Sequence, residues 1–135
     1  MRNKKGFTIV ETVVALAVLA IISVAVLGTA MVVNKLNVRA TERTAMGYAV
    51  ESAVECFYNT NTAEAFLEET TFCMGLEAIE ADGDYYYYFL AGKAVSAESD
   101  YSYVMKIRWT ASAITLGVVS KNNKTLIEEA TYRRV

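Results

Sequence analysis

An α+β fold is what this 135-residue sequence predicts: a long N-terminal helix, its first half transmembrane, with an antiparallel sheet of about four strands packed on its outer half. Three observations predict it. Residues 12–34 carry no formal charge over 23 positions, roughly 35 Å of helix, enough to cross a bilayer. Proline is absent from the whole chain, so nothing there forces the helix to stop. From Tyr85 onward, short runs of aromatic and β-branched residues alternate with polar ones between turn residues, the pattern of half-buried strands.

Residues 1–6 form a short basic leader holding Arg2, Lys4 and Lys5. Residues 7–34 are the transmembrane segment, and Glu11 places a carboxylate at its entrance. Inserting a charge near the edge of a span costs a few kcal/mol, so a later partner is expected to compensate it. Residues 35–58 continue the helix as an amphipathic stretch. Leu36, Ala40, Gly47, Val50, Val54 and Phe57 recur at spacings of three, four or seven, while Arg39, Glu42, Glu51 and Glu55 fall elsewhere,. A helix over residues 7–58 would run roughly 78 Å, more than twice the hydrocarbon thickness, so its second half lies outside the membrane. Gly28 and Gly47 are its interior glycines.

Residues 59–83 form a connecting loop. Asn59-Thr60-Asn61-Thr62 is a capping and turn cluster, Ala63 to Glu69 suits a short helix, and Asp82-Gly83-Asp84 reads as a turn,. Residues 84–135 supply the sheet: Tyr85 to Leu90, then Tyr101 to Trp109, then Ala113 to Val119, and finally Thr125 to Tyr132 after a Lys121-Asn122-Asn123-Lys124 hairpin turn,. Consecutive strand residues face opposite ways, so two of the four tyrosines Tyr85 to Tyr88 are expected to pack on the helix and two to face a neighbour or solvent.

The composition narrows function. The sequence is 54% hydrophobic, which suits a membrane-anchored protein with room for one small domain. The leader's basic residues place the N-terminus inside and the sheet outside by the positive-inside rule. The formal charge of −2 becomes −5 once residues 1–6 and their three bases are removed, which gives no reason to invoke nucleic acid. Residues 59–100 hold nine acids against Lys93, whereas residues 101–135 hold six bases against Glu128 and Glu129. That imbalance reads either as an ordinary solvated surface or as complementarity between neighbouring copies.

With no His in the chain, the commonest general base is missing, and no nucleophile with a partner or phosphate-cradling Gly loop stands in its place. No enzyme, cofactor or zinc site is expected. Cys56 and Cys73 lie in the exported part, and a count of two leaves a disulfide and a pair of thiols both open,. A bridge would contribute roughly 3 kcal/mol in the chain-entropy model.

Gly6-Phe7-Thr8-Ile9-Val10-Glu11, behind the basic leader and ahead of a Val/Ala/Leu/Ile run, resembles the processing site of type IV prepilins and type II secretion pseudopilins. The resemblance covers residues 4 to about 28. It implies that a membrane-embedded aspartic protease, the prepilin peptidase, cuts between Gly6 and Phe7, that the new terminal Phe7 is N-methylated, and that Glu11 is the subunit-assembly carboxylate. Its implied partners are other pilin or pseudopilin subunits and the membrane assembly platform. Its implied course runs from the cytoplasmic (inner) membrane, as a single pass, to an extracellular pilus or pseudopilus.

Many family members carry a helix-loosening Pro near position 28, so Gly28 is a candidate softer melting point; close packing by a small residue is the other reading. Some pseudopilins hold calcium, but Glu80-Ala81-Asp82-Gly83-Asp84 falls short of a full oxygen cage. The run from Glu11 to Ala20 looks most like minor pilins and minor pseudopilins, which initiate or tip filaments. The competing readings are a signal-anchored extracellular binding or sensor domain with an uncleaved helix, and an ordinary secretory signal peptide cut near Gly28. The first leaves the Gly6-Phe7 junction and Glu11 as accidents; for the second, the apolar run is long for a signal-peptide core and Glu11 interrupts its start,.

Overall fold

The computed structural model describes residues 8–96 and 98–134. Gly6 and Phe7, the expected processing junction, lie outside the described residues. One helix, α1, spans Ile9–Asn59 without interruption, passing through both Gly28 and Gly47. The chain divides into two units, one through Arg39 and one from Ala40.

In the first unit the described residues beyond Thr8 are all helical, and their apolar side chains are exposed around the whole circumference, from Ile9 at 84% and Val24 at 72% to Leu36 at 56%. A helix that is apolar all round is one whose burial comes from lipid or from other helices. It is long and apolar enough to cross a membrane. Its hydroxyls do not weaken that reading: Ser23 Oγ donates to the Leu19 carbonyl at 2.8 Å, and Thr29 Oγ1 to that of Val26 at 2.9 Å. Each is thus satisfied within its own helix, as a lipid environment requires.

In the second unit α1 becomes one-sided. Met46, Val50, Ala53 and Phe57 are buried, with Cys56 beside them, at steps of four, three and four that keep one helix face against the core. The buried face is rotated from the expected stripe: Val50 and Phe57 belong to it, Gly47 and Val54 flank it, and Leu36 stays outside. Met46 and Cys56, which fell between the chosen heptad positions, fill it instead.

A second helix, α2, covers Ala63–Met74. Thr62 caps its start by accepting a hydrogen bond from the Ala65 amide at 3.3 Å,. Its end is set by Gly75 in the left-handed region, whose amide returns to the Thr71 carbonyl at 2.8 Å,. The helix therefore runs five residues past Glu69, where the sequence reading stopped it. In the added turn Thr70 is fully buried and its hydroxyl bonds back to the Phe66 carbonyl.

Among the described residues the sheet is antiparallel throughout and has six strands: β1 (Ile79–Ala81), β2 (Asp84–Leu90), β3 (Lys93–Ala94), β4 (Tyr103–Trp109), β5 (Ala113–Ser120) and β6 (Thr125–Arg133). The order is β1-β2-β4-β5-β6, with β3 also paired to β2. The four long strands match the expected ones. The count of about four is corrected by β1 and β3, which are three and two residues long, and the sheet begins at Ile79 instead of residue 84. Both additions hang on two-residue turns with positive φ at each central residue: Asp82 and Gly83 at 53° and 78°, Ala91 and Gly92 at 49° and 77°. That is the turn geometry whose twist matches paired strands. Segments this short carry too little periodicity to be read from sequence.

One core joins the sheet to the second-unit part of α1 and to α2: Met46, Val50, Ala53, Cys56 and Phe57 from α1, Phe66 from α2, and Tyr87, Phe89, Met105, Ile107, Ile114, Leu116 and Val118 from the sheet. The tyrosine run alternates as expected. Tyr85, Tyr87 and Phe89 pack on the core. On the opposite face Tyr86 lies under the Lys106 ammonium at 5.8 Å, and Tyr88 meets Tyr101 edge-on at 5.0 Å.

Candidate functional site

The chemistry-bearing end of the helix is built from Thr8 and Glu11. The Thr8 amide donates to Glu11 Oε2 at 3.0 Å, the Thr8 hydroxyl donates to the same oxygen at 3.1 Å, and the Glu11 amide donates to Thr8 Oγ1 at 3.3 Å. This is a reciprocal capping box, Thr-x-x-Glu, which satisfies two of the helix's four orphan amides. The carboxylate also sits where the positive end of the helix dipole favours an anion. In the single chain Glu11 thus has local partners, and its side chain remains exposed. The pattern Thr8-Ile9-Val10-Glu11 announces this cap in the sequence.

Behind that end residues 13–33 are apolar apart from the hydroxyls of Ser23 and Thr29, so the segment offers two things together: a broad apolar surface and one fixed negative charge at its start. Residues 1–27 match the family model described as the prokaryotic N-terminal methylation motif. The chain carries a type IV prepilin signal. That signal indicates a prepilin-like protein of the kind processed by a peptidase, and a membrane-capable helix overlaps and continues the motif. The prepilin signal also fits anchoring in the inner membrane and assembly with other pilins. No curated protein and no solved structure matches this prepilin-like chain.

The remaining candidate residues of the prepilin-like chain sit in the second unit. Cys56 is 3% exposed on α1, Cys73 is exposed on α2, and their sulfurs stand 3.7 Å apart as free thiols. Burial, then the neighbouring Cys73, pushes the Cys56 thiol up to about 12,. Gly28 lies within unbroken helix, and among the described residues nothing beyond its chain neighbours and the helix's own backbone comes within 4 Å of where a Cβ would stand.

The acidic turn of the second unit resolves differently from its sequence reading. Only Asp82 and Gly83 form the turn, and Asp84 opens β2 with its residue 3% exposed. Arg108 binds it through two bonds, Nε to Oδ1 at 2.9 Å and Nη2 to Oδ2 at 3.2 Å, and Lys106 Nζ lies 2.9 Å from Oδ2. The Arg108 hydrogen bond, helped by Lys106, holds the Asp84 carboxyl below its usual value against the opposing effect of desolvation. Both oxygens are thereby committed to protein cations, which removes Asp84 from any calcium cage in that loop.

The same contacts use part of the charge imbalance. Lys106 and Arg108 neutralise one of the nine acids of residues 59–100, and Arg134 spends its guanidinium on the carbonyls of Phe57 and Thr60 at the end of α1. Glu42 is tied to the Tyr103 hydroxyl at 2.7 Å. These pairings had no sequence signal, because each joins residues 22 to 77 positions apart.

Proposed function

We propose that the chain is a structural subunit of a type IV pilus or pseudopilus filament, drawn from the inner membrane after cleavage between Gly6 and Phe7 and N-methylation of Phe7. The observation that carries this reading is the Thr8–Glu11 cap at the head of a helix whose apolar residues are exposed on every side. Such a helix is stable as a lipid-embedded single pass and equally as one strand of a helical bundle. Membrane storage and filament packing can therefore exchange without refolding it.

In this reading Glu11 exchanges partners. In the stored subunit its charge is held by the Thr8 amide and hydroxyl. In the filament it meets the ammonium of Phe7 on an adjacent subunit, a pair removed from water whose loss of one member costs about 3–5 kcal/mol. That pairing fixes the axial register between copies. The basic leader keeps residues 1–6 cytoplasmic, and the sheet is exported. Gly28 is the proposed softer point of the helix during assembly, about 1 kcal/mol less stable than alanine there.

The test is a Glu11→Ala chain followed through both steps. Intact mass of the membrane form should begin at methylated Phe7, while recovery in sheared filaments should fall to background. Normal incorporation of that variant would refute the pairing role, and a wild-type chain that retains Met1 in cells with an active peptidase would refute the filament reading itself.

A further inference from the structure

We propose that Cys56 and Cys73 form a two-step thiol–disulfide exchange site, in which the exposed Cys73 accepts an external disulfide and the buried Cys56 resolves it into a bridge tying α2 to α1. The geometry is asymmetric in the way such a site needs. The two sulfurs are 3.7 Å apart, close enough that a small side-chain rotation brings them to bonding distance. Cys73 opens into a shallow hollow of about 480 Å³, lined also by Tyr48, Ser52, Met74, Phe89 and Lys93. Cys56 sits in the core with Ala53, Phe57, Phe66 and Tyr87, nearly closed to solvent, and does not line that hollow.

The chemistry balances with one external disulfide, either a small molecule or a protein, as oxidant. The Cys73 thiolate attacks one of its sulfurs, forming a mixed disulfide and expelling one thiolate. The Cys56 sulfur then attacks the Cys73 sulfur, its proton passing to the second leaving thiolate. Two cysteine thiols become one cystine, and one external disulfide becomes two thiols. The order is fixed by exposure and reinforced by acidity, since desolvation keeps the Cys56 thiol protonated until its partner is in place,. Proximity then compensates for its weak acidity.

The bridge would act on a thinly held element. Among the described residues of α2 only Phe66 and Thr70 are buried, with Leu67 and Met74 partly buried against the core. A covalent tie at Cys73 would fix the C-terminal end of that contact. The site lies wholly in the second unit and does not use Thr8 or Glu11, so its failure would leave the filament reading untouched.

The full chain, purified in detergent with reductant removed, is treated with 4,4′-dithiodipyridine, which releases a coloured thiopyridone at each exchange. The wild type should release two equivalents and end with no adduct and a mass lower by two hydrogens. Quenched early, it should carry a single adduct on the peptide containing Cys73, a result that needs no variant to fold. Cys56→Ala should stop at one equivalent with the adduct retained, and Cys73→Ser should react about ten-fold or more slowly than wild type. Retention of adducts on both cysteines, an early adduct on Cys56, or a Cys73→Ser rate equal to wild type would each overturn the proposal.

Discussion

The guanidinium carbon of Arg134 stands 4.3 Å from the ring centroid of Phe57, and this contact joins the last strand to the end of the long helix. The same group donates to the carbonyls of Phe57 and Thr60, and through Nη1 to Ala111 O at 3.2 Å and Asn61 Oδ1 at 3.4 Å. Helix α1 has no basic residue in its own last turn. Its C-terminal carbonyls, which carry the negative end of the dipole, are therefore served by a cation from β6's far end.

Replacing Arg134 with alanine should destabilise the second unit by about 1–3 kcal/mol, from lost charged hydrogen bonds and lost stacking. Arg134→Lys should recover only part, because an ammonium keeps the charge but lacks the planar fork that reaches several carbonyls at once. Thermal unfolding of the full chain in detergent, followed by tyrosine circular dichroism, checks both. Equal stability of the lysine variant and wild type would show that charge alone matters.

Asp84 predicts an acid limit. Its folded value lies below the ordinary 3.8, so the carboxylate contributes stability that is complete above the unfolded carboxylate range and is lost as pH falls through the lower folded value. Lys106 and Arg108 reach solvent, with side chains 39% and 63% exposed, which screens the pair. Asp84→Asn should accordingly cost about 1–2 kcal/mol at neutral pH. It should also flatten the stability profile below about pH 4 relative to wild type. Parallel profiles for the two proteins over that range would remove the ion pair from the explanation.

The capping box separates local from intermolecular roles of Glu11. Thr8→Val removes the hydroxyl that both donates to and accepts from Glu11 while leaving the carboxylate in place. The expected cost to the helix start is about 1 kcal/mol, visible as faster amide exchange over Ile9 to Val13. Filament incorporation should persist, because the proposed partner of Glu11 in the assembly is an amine on another subunit. If Thr8→Val abolished incorporation as completely as Glu11→Ala, the cap itself would be the assembly determinant.

The sequence by itself determined the features that repeat over a few residues. The charge-free stretch from Thr12 to Asn34, the Gly6-Phe7 junction with Glu11, and the period-two pattern of Tyr103, Met105, Ile107 and Trp109 are local. They fixed the apolar helix, the prepilin signal and the four long strands. The Thr8–Glu11 cap was equally local and legible, and went unread because one residue was assigned one role. Tertiary structure alone decided what depends on chain closure. Strand register brings Asp84 beside Lys106 and Arg108, the return of β6 sets Arg134 on Phe57, and the docking of α2 brings Cys73 to Cys56. A charge or a thiol looks the same in sequence whether its partner is water or a side chain 77 residues away. Burial between packed elements is what makes that choice, because only there does leaving a polar group unpaired cost more than bringing its partner in.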